Sequence, residues 1–356
     1  MPTFAFSVPV GSWHPFLAAS LASLRAQGAG VSVALLDASG DPRVKALADL
    51  HDDWLAYRRH GPDGGQSDAI IEGWQHVQGD WLGWLNADDI LMPGALDKVR
   101  SRLAQDSSLD VVYGHSSIID ETGAMTGYHF NVEPPGPRLL QAGIISQPSC
   151  FFRRSACEGI GGVNPDLHYV MDWDLWIRMY EADAKFDFVD APLSMVLWGE
   201  DTKTASLNKR RRSELQDIIN RHAPPEARTG TFRAFVVHAA ADRMWPAGLR
   251  EKLRRRLRRS GPTVFGVRAD GLVQPGASLI LAHYDDAPKT GLTLEFDCPA
   301  TGVNVNGTPK LEAVGKTSSS IEIRLARPLP ANETLRVNLS AAPNHPVRFL
   351  RAAWQV

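Results

Sequence analysis

The sequence predicts an α/β fold with a mostly parallel sheet, followed by a small antiparallel β-sandwich, and three observations lead there. Strand-like and helical stretches alternate over the first 115 residues, the pattern of a parallel sheet with helices on both faces. Polar residues gather where those strands end, and in such folds ligands bind at the carboxyl ends of the strands. After Gly261-Pro262 the texture changes to short β-rich runs separated by Gly, Pro, Asn and Asp.

In chain order, TFAFSVPV is strand-like and PFLAASLASLRAQ carries apolar residues at helical spacing. VSVALLDAS is a β-rich run that ends in Asp37, and RVKALADLHDD is helical again. A Gly-Gly turn leads into SDAIIEGWQHV, for which Ser67 or Asp68 is a plausible N-cap. The strand DWLGWLN, the helix GALDKVRSRLAQD and the strand DVVYG complete the alternation. Residues 116 to 200 are less regular, with a helix expected from about Trp173. Residues 205 to 259 look helical and are basic in KRRRSE and LREKLRRRLRRSG. The later runs ASLILAHY, LTLEFDC, SIEIRLA and TLRVNLS read as sandwich strands. The expected division is a catalytic-type domain over 1–204, a basic helical linker over 205–261 and the sandwich over 262–356.

At 356 residues the chain suggests two domains, and its 44% hydrophobic and 22% charged composition is that of a globular protein. A formal net charge of −2 gives no global basic character that would point to nucleic acid. Cys150, Cys157 and Cys298 make no even-numbered disulfide framework and suit a reducing compartment. The N-terminus lacks a signal-peptide pattern, and no stretch approaches the roughly 18 apolar residues of a membrane span. The expected location is the cytoplasm, with any membrane contact peripheral.

The stretch GWLNADDILMPGAL, residues 83 to 96, carries the sharpest chemical signal. Asp88 and Asp89 are adjacent carboxylates at the end of a buried strand, a costly arrangement unless a cation or a donor sits there. A metal site and a polar strand end that caps the next helix both fit these residues.

Three segments belong together: GPDGGQSDAIIEGW, GWLNADDILMPGAL and MDWDLWIRM, the last within GGVNPDLHYVMDWDLWIR. In this order and spacing they resemble the family 2 glycosyltransferases, inverting nucleotide-sugar enzymes of the GT-A fold. The resemblance covers about residues 3 to 205. It implies a nucleoside-diphosphate sugar donor, a glycan or lipid-linked glycan acceptor, and a manganese or magnesium ion that stabilises the departing diphosphate. On this resemblance Asp88 is the metal ligand and Asp89 a supporting or helix-capping group. Asn86 stands near the donor ribose, where the family more often has Asp. Asp37 resembles the aspartate that accepts from the nucleobase, and Pro9 and Val10 the backbone that cradles the base. Asp63, Gln66, Ser67 and Asp68 match the donor-facing loop, Gln147 a loop beside the donor sugar, and Lys203 a residue able to neutralise the diphosphate. Asp172 matches the base that takes the acceptor's proton, and Asp174 is expected to cap its helix. Met171 and Gly199 stand where the family often has Glu and His. Trp173 is balanced between sugar stacking and core; Trp176 is expected in the core.

In residues 249 to 257 leucines recur every fourth position among Arg and Lys. Such a basic amphipathic helix suits an anionic membrane surface, or a leucine stripe packed on the protein with a solvated basic face. The sandwich can bind glycan, pair subunits into a homo-oligomer or cover an apolar face. The main rival is a non-catalytic glycan-binding or scaffold protein that kept the fold, toward which Asn86, Met171 and Gly199 depart. A sugar-phosphate nucleotidylyltransferase would carry a Gly-rich N-terminal loop followed by Arg and Lys, which is absent here.

Overall fold

The computed structural model describes residues 1–129, 135–199, 208–243, 262–297, 299–341 and 346–355. Lys203, Cys298 and the basic run 249–261 lie outside the described residues. The chain forms two compact units: residues 1–115, 132–194 and 201–240, and residues 116–131, 195–200 and 241–356.

The first unit begins with the expected alternation, to which β3 and β5 are additions: β1 (Phe4–Val10), α1 (Leu17–Arg25), β2 (Val31–Asp37), α2 (Pro42–Asp49), β3 (Tyr57–His60), α3 (Gln66–His76), β4 (Trp81–Trp84), β5 (Ile90–Leu91), α4 (Ala95–Gln105) and β6 (Val111–Ile119). β6 runs on into the second unit, where β7 (Met125–Tyr128) follows it. The chain then adds β8 (Cys150–Arg153), α5 (Arg154–Gly159), α6 (Met171–Glu181), β9 (Phe186–Leu197), α7 (Lys209–His222) and α8 (Pro225–Arg243). The sheet order in this unit is β6-β8-β4-β1-β2-β3. β4, β1, β2 and β3 are mutually parallel, and β8 runs antiparallel to β4 and β6.

All seven residues of β1 are buried, as a central parallel strand covered on both faces requires. The two-residue period of β8 assigns those faces. Phe151 meets Phe4 and Phe6 edge-on, while Phe152 packs against Trp74 of α3, Trp84 and Trp176 of α6. β3, with the sequence YRRH, escapes detection by pattern because this edge strand carries charge where central strands carry branched apolar residues. α7 presents Leu215, Ile218 and Ile219 to the same core as Trp176, so its basic residues occupy only its outer side.

The second unit continues with β10 (Thr263–Val264), β11 (Val267–Arg268), β12 (Ala277–Ala282), β13 (Lys289–Phe296), β14 (Val303–Thr308), β15 (Leu311–Lys316), β16 (Ser320–Leu329), β17 (Thr334–Ala341) and β18 (Phe349–Trp354). Two antiparallel sheets, β12-β17-β14 and β15-β16-β13-β18-β7-β6, face one apolar core. Leu335, Val337 and Leu339 alternate into it from one sheet, and Ile321, Ile323 and Leu325 from the other. Tyr128 of β7 ties the sheets together: its hydroxyl donates to Ser278 O at 3.0 Å and accepts from Ile280 N at 2.9 Å. The sandwich thus includes a strand from residues 116–131, which lie in the less regular stretch of the sequence.

Candidate active site

The parallel strands end in register. Val10 lies opposite Asp37, and Asp37 opposite His60, so three strand ends form one ledge. Asp37 is buried, and both its oxygens are engaged. Oδ1 accepts from Ser39 N at 2.9 Å and Ser39 Oγ at 2.5 Å, the bonds of an Asx turn. Oδ2 lies 2.8 Å from His60 Nδ1. Pro9 and Val10 are buried at the end of β1, and Val10 O accepts from Ala38 N at 2.9 Å. His60 is a site residue that the sequence reading missed, since β3 itself was illegible.

The next loop is organised by Arg59, whose guanidinium bonds Asp63 Oδ2 at 2.9 Å and Glu72 Oε2 at 2.8 Å. Asp63 Oδ1 accepts from Gly65 N at 3.0 Å. Gly65, at φ 127°, occupies the N-cap position of α3; neither Ser67 nor Asp68 caps it, which corrects the sequence expectation. The Ser67 hydroxyl instead donates to Leu167 O at 2.7 Å. The Asp68 carboxylate fills the space beside Gly64, 1.8 Å from where a Cβ would stand, so a larger residue there would have to displace it.

Gln66 leads to the acidic corner after β4. Its Nε2 donates to Asn86 Oδ1 at 2.6 Å. Asn86 Nδ2 donates to Asp89 Oδ2 at 2.8 Å and to Gln147 Oε1 at 3.3 Å, and Gln147 Nε2 donates to Trp84 O at 2.8 Å. Gln66, Asn86, Asp89 and Gln147, spread over 82 positions of chain, form one hydrogen-bonded group. Asn rather than Asp at position 86 allows this, because a carboxylate could not donate to Asp89.

Burial pushes the Asp88 carboxyl above the usual carboxylate range, with the nearby His14 charge acting the other way. Asp89 is pushed well above that range, first by burial and then by the Asp88 charge. Among the described residues no Lys or Arg pairs with either carboxylate, nor does any group of three His, Cys, Asp or Glu form a metal cage. The two carboxylates alone fit a divalent ion whose other ligands come from phosphate and water, and such an ion would relieve their mutual repulsion. Asp89 does not cap α4, correcting that expectation; Gly94 takes the N-cap position at φ 64°.

Asp172 stands in the first turn of α6, where its Oδ1 accepts from Trp173 N at 2.7 Å. Asp174 is fully buried and binds Arg178 Nε at 2.7 Å. It therefore anchors its own helix through the i+4 residue and does not cap it, again a correction. Trp173 is buried with its Nε1 donating to Leu139 O at 2.7 Å, and Trp176 stacks on Trp84 at 6.0 Å between ring centroids. Both tryptophans are core. The pairing of Leu82 with Phe152 runs antiparallel, so the far end of β4 and the beginning of β8 share one edge of the sheet. Cys150 begins β8, and its thiol is pushed up by burial and then by the charge of Asp172. Trp176, one turn along α6 from Asp172, stacks on Trp84, so α6 packs against the end of β4 that leads into the 86–89 corner.

The family model for glycosyl transferase family 2 matches residues 12–161. A PGL/p-HBAD biosynthesis glycosyltransferase of Mycobacterium tuberculosis is 28% identical over 188 residues, 51% of this chain and 72% of that protein. The O-antigen biosynthesis protein RfbC of Myxococcus xanthus is 26% identical over 131 residues, 37% of this chain and 10% of that protein. The crystal structure of S. aureus TarS 1–349 in complex with UDP-GlcNAc is similar in fold, with a TM-score of 0.50 and 12% identity over 73% of this chain and 82% of that one. The GT-A fold and the strand-end site agree with this similarity to glycosyl transferase family 2, which spans residues 12–161.

Proposed function

We propose that this protein is an inverting glycosyltransferase that moves a sugar from a nucleoside-diphosphate donor to a hydroxyl of a glycan or lipid-linked glycan. What supports this reading is the hydrogen-bonded group of Gln66, Asn86, Asp89 and Gln147 at the strand ends, with Asp172 in the first turn of the helix whose Trp176 stacks on Trp84 of β4. In this reading the ledge at Val10 and Asp37 receives the nucleobase, and the Asp63–Asp68 loop faces the donor. Asn86, with its amide committed to Gln66, Gln147 and Asp89, shapes the site beside the ribose.

Asp172 takes the proton of the acceptor hydroxyl as its oxygen bonds to the anomeric carbon. The bond from that carbon to the diphosphate oxygen breaks, and its electron pair leaves with the diphosphate, which inverts the anomeric centre. Asp88, supported by Asp89, would hold a manganese or magnesium ion. When bound, that ion supplies Lewis-acid stabilisation of the leaving diphosphate. Lys203 would add positive charge near it.

The reading is tested by nucleoside diphosphate release from a panel of UDP- and GDP-sugars with manganese. Asp172→Asn is expected to lower turnover by a factor on the order of 10² or more while nucleotide binding by calorimetry is retained. Wild-type turnover in that variant would overturn the assignment of the base. Absence of release from every donor by the wild-type protein would favour the glycan-binding scaffold.

A further inference from the structure

One buried carboxylate outside the family-matched stretch reaches the loop that precedes Asp172. Glu214, in the second turn of α7, is 6% exposed. Its Oε1 accepts from His168 N at 3.0 Å; its Oε2 accepts from the same N–H at 3.1 Å and from Tyr169 N at 2.7 Å. Arg210 holds it in place, donating from Nε to Oε1 at 3.0 Å, and bonds Asp166 O through Nη2 at 3.1 Å.

The loop is secured at every step. Asp166 N donates to Asn164 Oδ1 at 3.0 Å, Leu167 O accepts from Ser67 Oγ at 2.7 Å, and Val170 O accepts from Asp174 N at 2.9 Å in the first turn of α6. Connecting segments ordinarily leave such groups to water. Here a charged acceptor from another helix captures two consecutive amides, bonds that are stronger than neutral ones. Docking of α7 does not require this, because Leu215, Ile218 and Ile219 already bury its inner side. Burying a carboxylate there costs free energy that an apolar residue would not. The arrangement links the buried Ser67 of α3, the loop and α7 at the point where the chain enters the helix that carries Asp172.

We propose that Glu214 is a positioning residue for the transfer step, fixing the 166–170 loop and through it the place of Asp172. This inference rests on the reading of Asp172 as the base. The expected consequence is selective, because misplacing a reacting group by about 1 Å can cost on the order of 10²-fold in rate, whereas the donor is held elsewhere.

The test uses the full chain with Glu214→Ala and with Glu214→Gln, which keeps the side-chain volume but offers one acceptor oxygen instead of two. In the diphosphate-release assay kcat is expected to fall roughly tenfold or more in Glu214→Ala and less in Glu214→Gln, with donor KM close to wild type in both. Hydrogen exchange across residues 166–173 should rise in parallel. If Glu214→Ala does not fold, Glu214→Gln decides alone. Wild-type kcat in Glu214→Gln, or a loss confined to KM, overturns the proposal. Asp172→Asn separates it from the reading beneath: full activity in that variant removes the base itself. An inactive Asp172→Asn beside a fully active Glu214→Gln removes only the clamp.

Discussion

Asp89 is the residue at which the electrostatics of the site can be read without knowing the substrate. Its folded carboxyl is held well above the usual range by burial and by Asp88, so the folded protein binds its proton more tightly than the unfolded chain does. The favourable contribution is therefore present at low pH and is lost as pH rises from the unfolded value, near 3.9, through the raised folded one. Above the unfolded value and without metal, the folded protein must either take up this proton or bury the charge, and both oppose folding. Asp89→Asn is thus expected to raise the thermal midpoint in the presence of chelator, by an increment that grows with pH. The added stability from manganese should shrink in the variant. A lower midpoint in chelator, together with an unchanged manganese effect, would remove the repulsion account. The legibility of this corner in the sequence was uneven. An adjacent Asp pair after an apolar strand announces an electrostatic problem, but Asn86 bonding Gln66 and Gln147 is a contact between distant segments that no local pattern encodes.

At the level of the element, α3 shows how a helix can be set by what it lacks. Its Gly73 lies against β1 and β2: a Cβ there would stand 2.3 Å from Ser7 Oγ, 2.7 Å from Ser7 Cβ and 2.9 Å from Leu36 Cδ2. Alanine in place of glycine gains up to about 1 kcal/mol of helix propensity, but forcing a methyl into a packed contact costs about 1–3 kcal/mol. The Ser7 hydroxyl would also be driven from Ala69 O, to which it donates at 3.0 Å. Gly73→Ala should lower the thermal midpoint by a few degrees, and a rise would show that the helix can move off the sheet at little cost. The same reasoning explains which helix starts were misread. Ser67, Asp89 and Asp174 each had the chemistry of a cap, yet their side chains bond Leu167, Asn86 and Arg178, because tertiary partners outcompeted the local option.

For the whole molecule, acid stability follows from how many protons the two states bind. His115 is buried, with Nε2 3.0 Å from Asp190 Oδ1 and its ring edge-on to Phe188. Burial lowers its pKa more than Asp190 raises it. The folded state therefore favours the neutral ring, and its contribution is complete above the unfolded pKa of about 6.5 and is lost as pH falls below it. His115 should draw the thermal midpoint down between pH 7 and 5, against the opposite contribution of Asp89, and His115→Gln should remove that share of the slope. Equal slopes in the two proteins would exclude His115 as a source of the acid sensitivity. On the same scale, Tyr128 shows that the sandwich depends on chain from the middle of the sequence, since its hydroxyl bonds both Ser278 and Ile280.

By itself the sequence determined the alternation of β1, β2 and β4 with their helices, the strand ends at Val10, Asp37 and Asn86, and the family likeness, because each is written in neighbouring residues. Period and punctuation act over a few positions and survive without a partner. Only the tertiary structure decided the rest: the edge strand β3 with His60, the joining of Gln147 to Asn86, the packing of α7, and the reach of Glu214 to His168 and Tyr169. Those features depend on pairing groups that lie far apart in the chain, and a buried polar group takes its meaning from whichever partner folding brings to it.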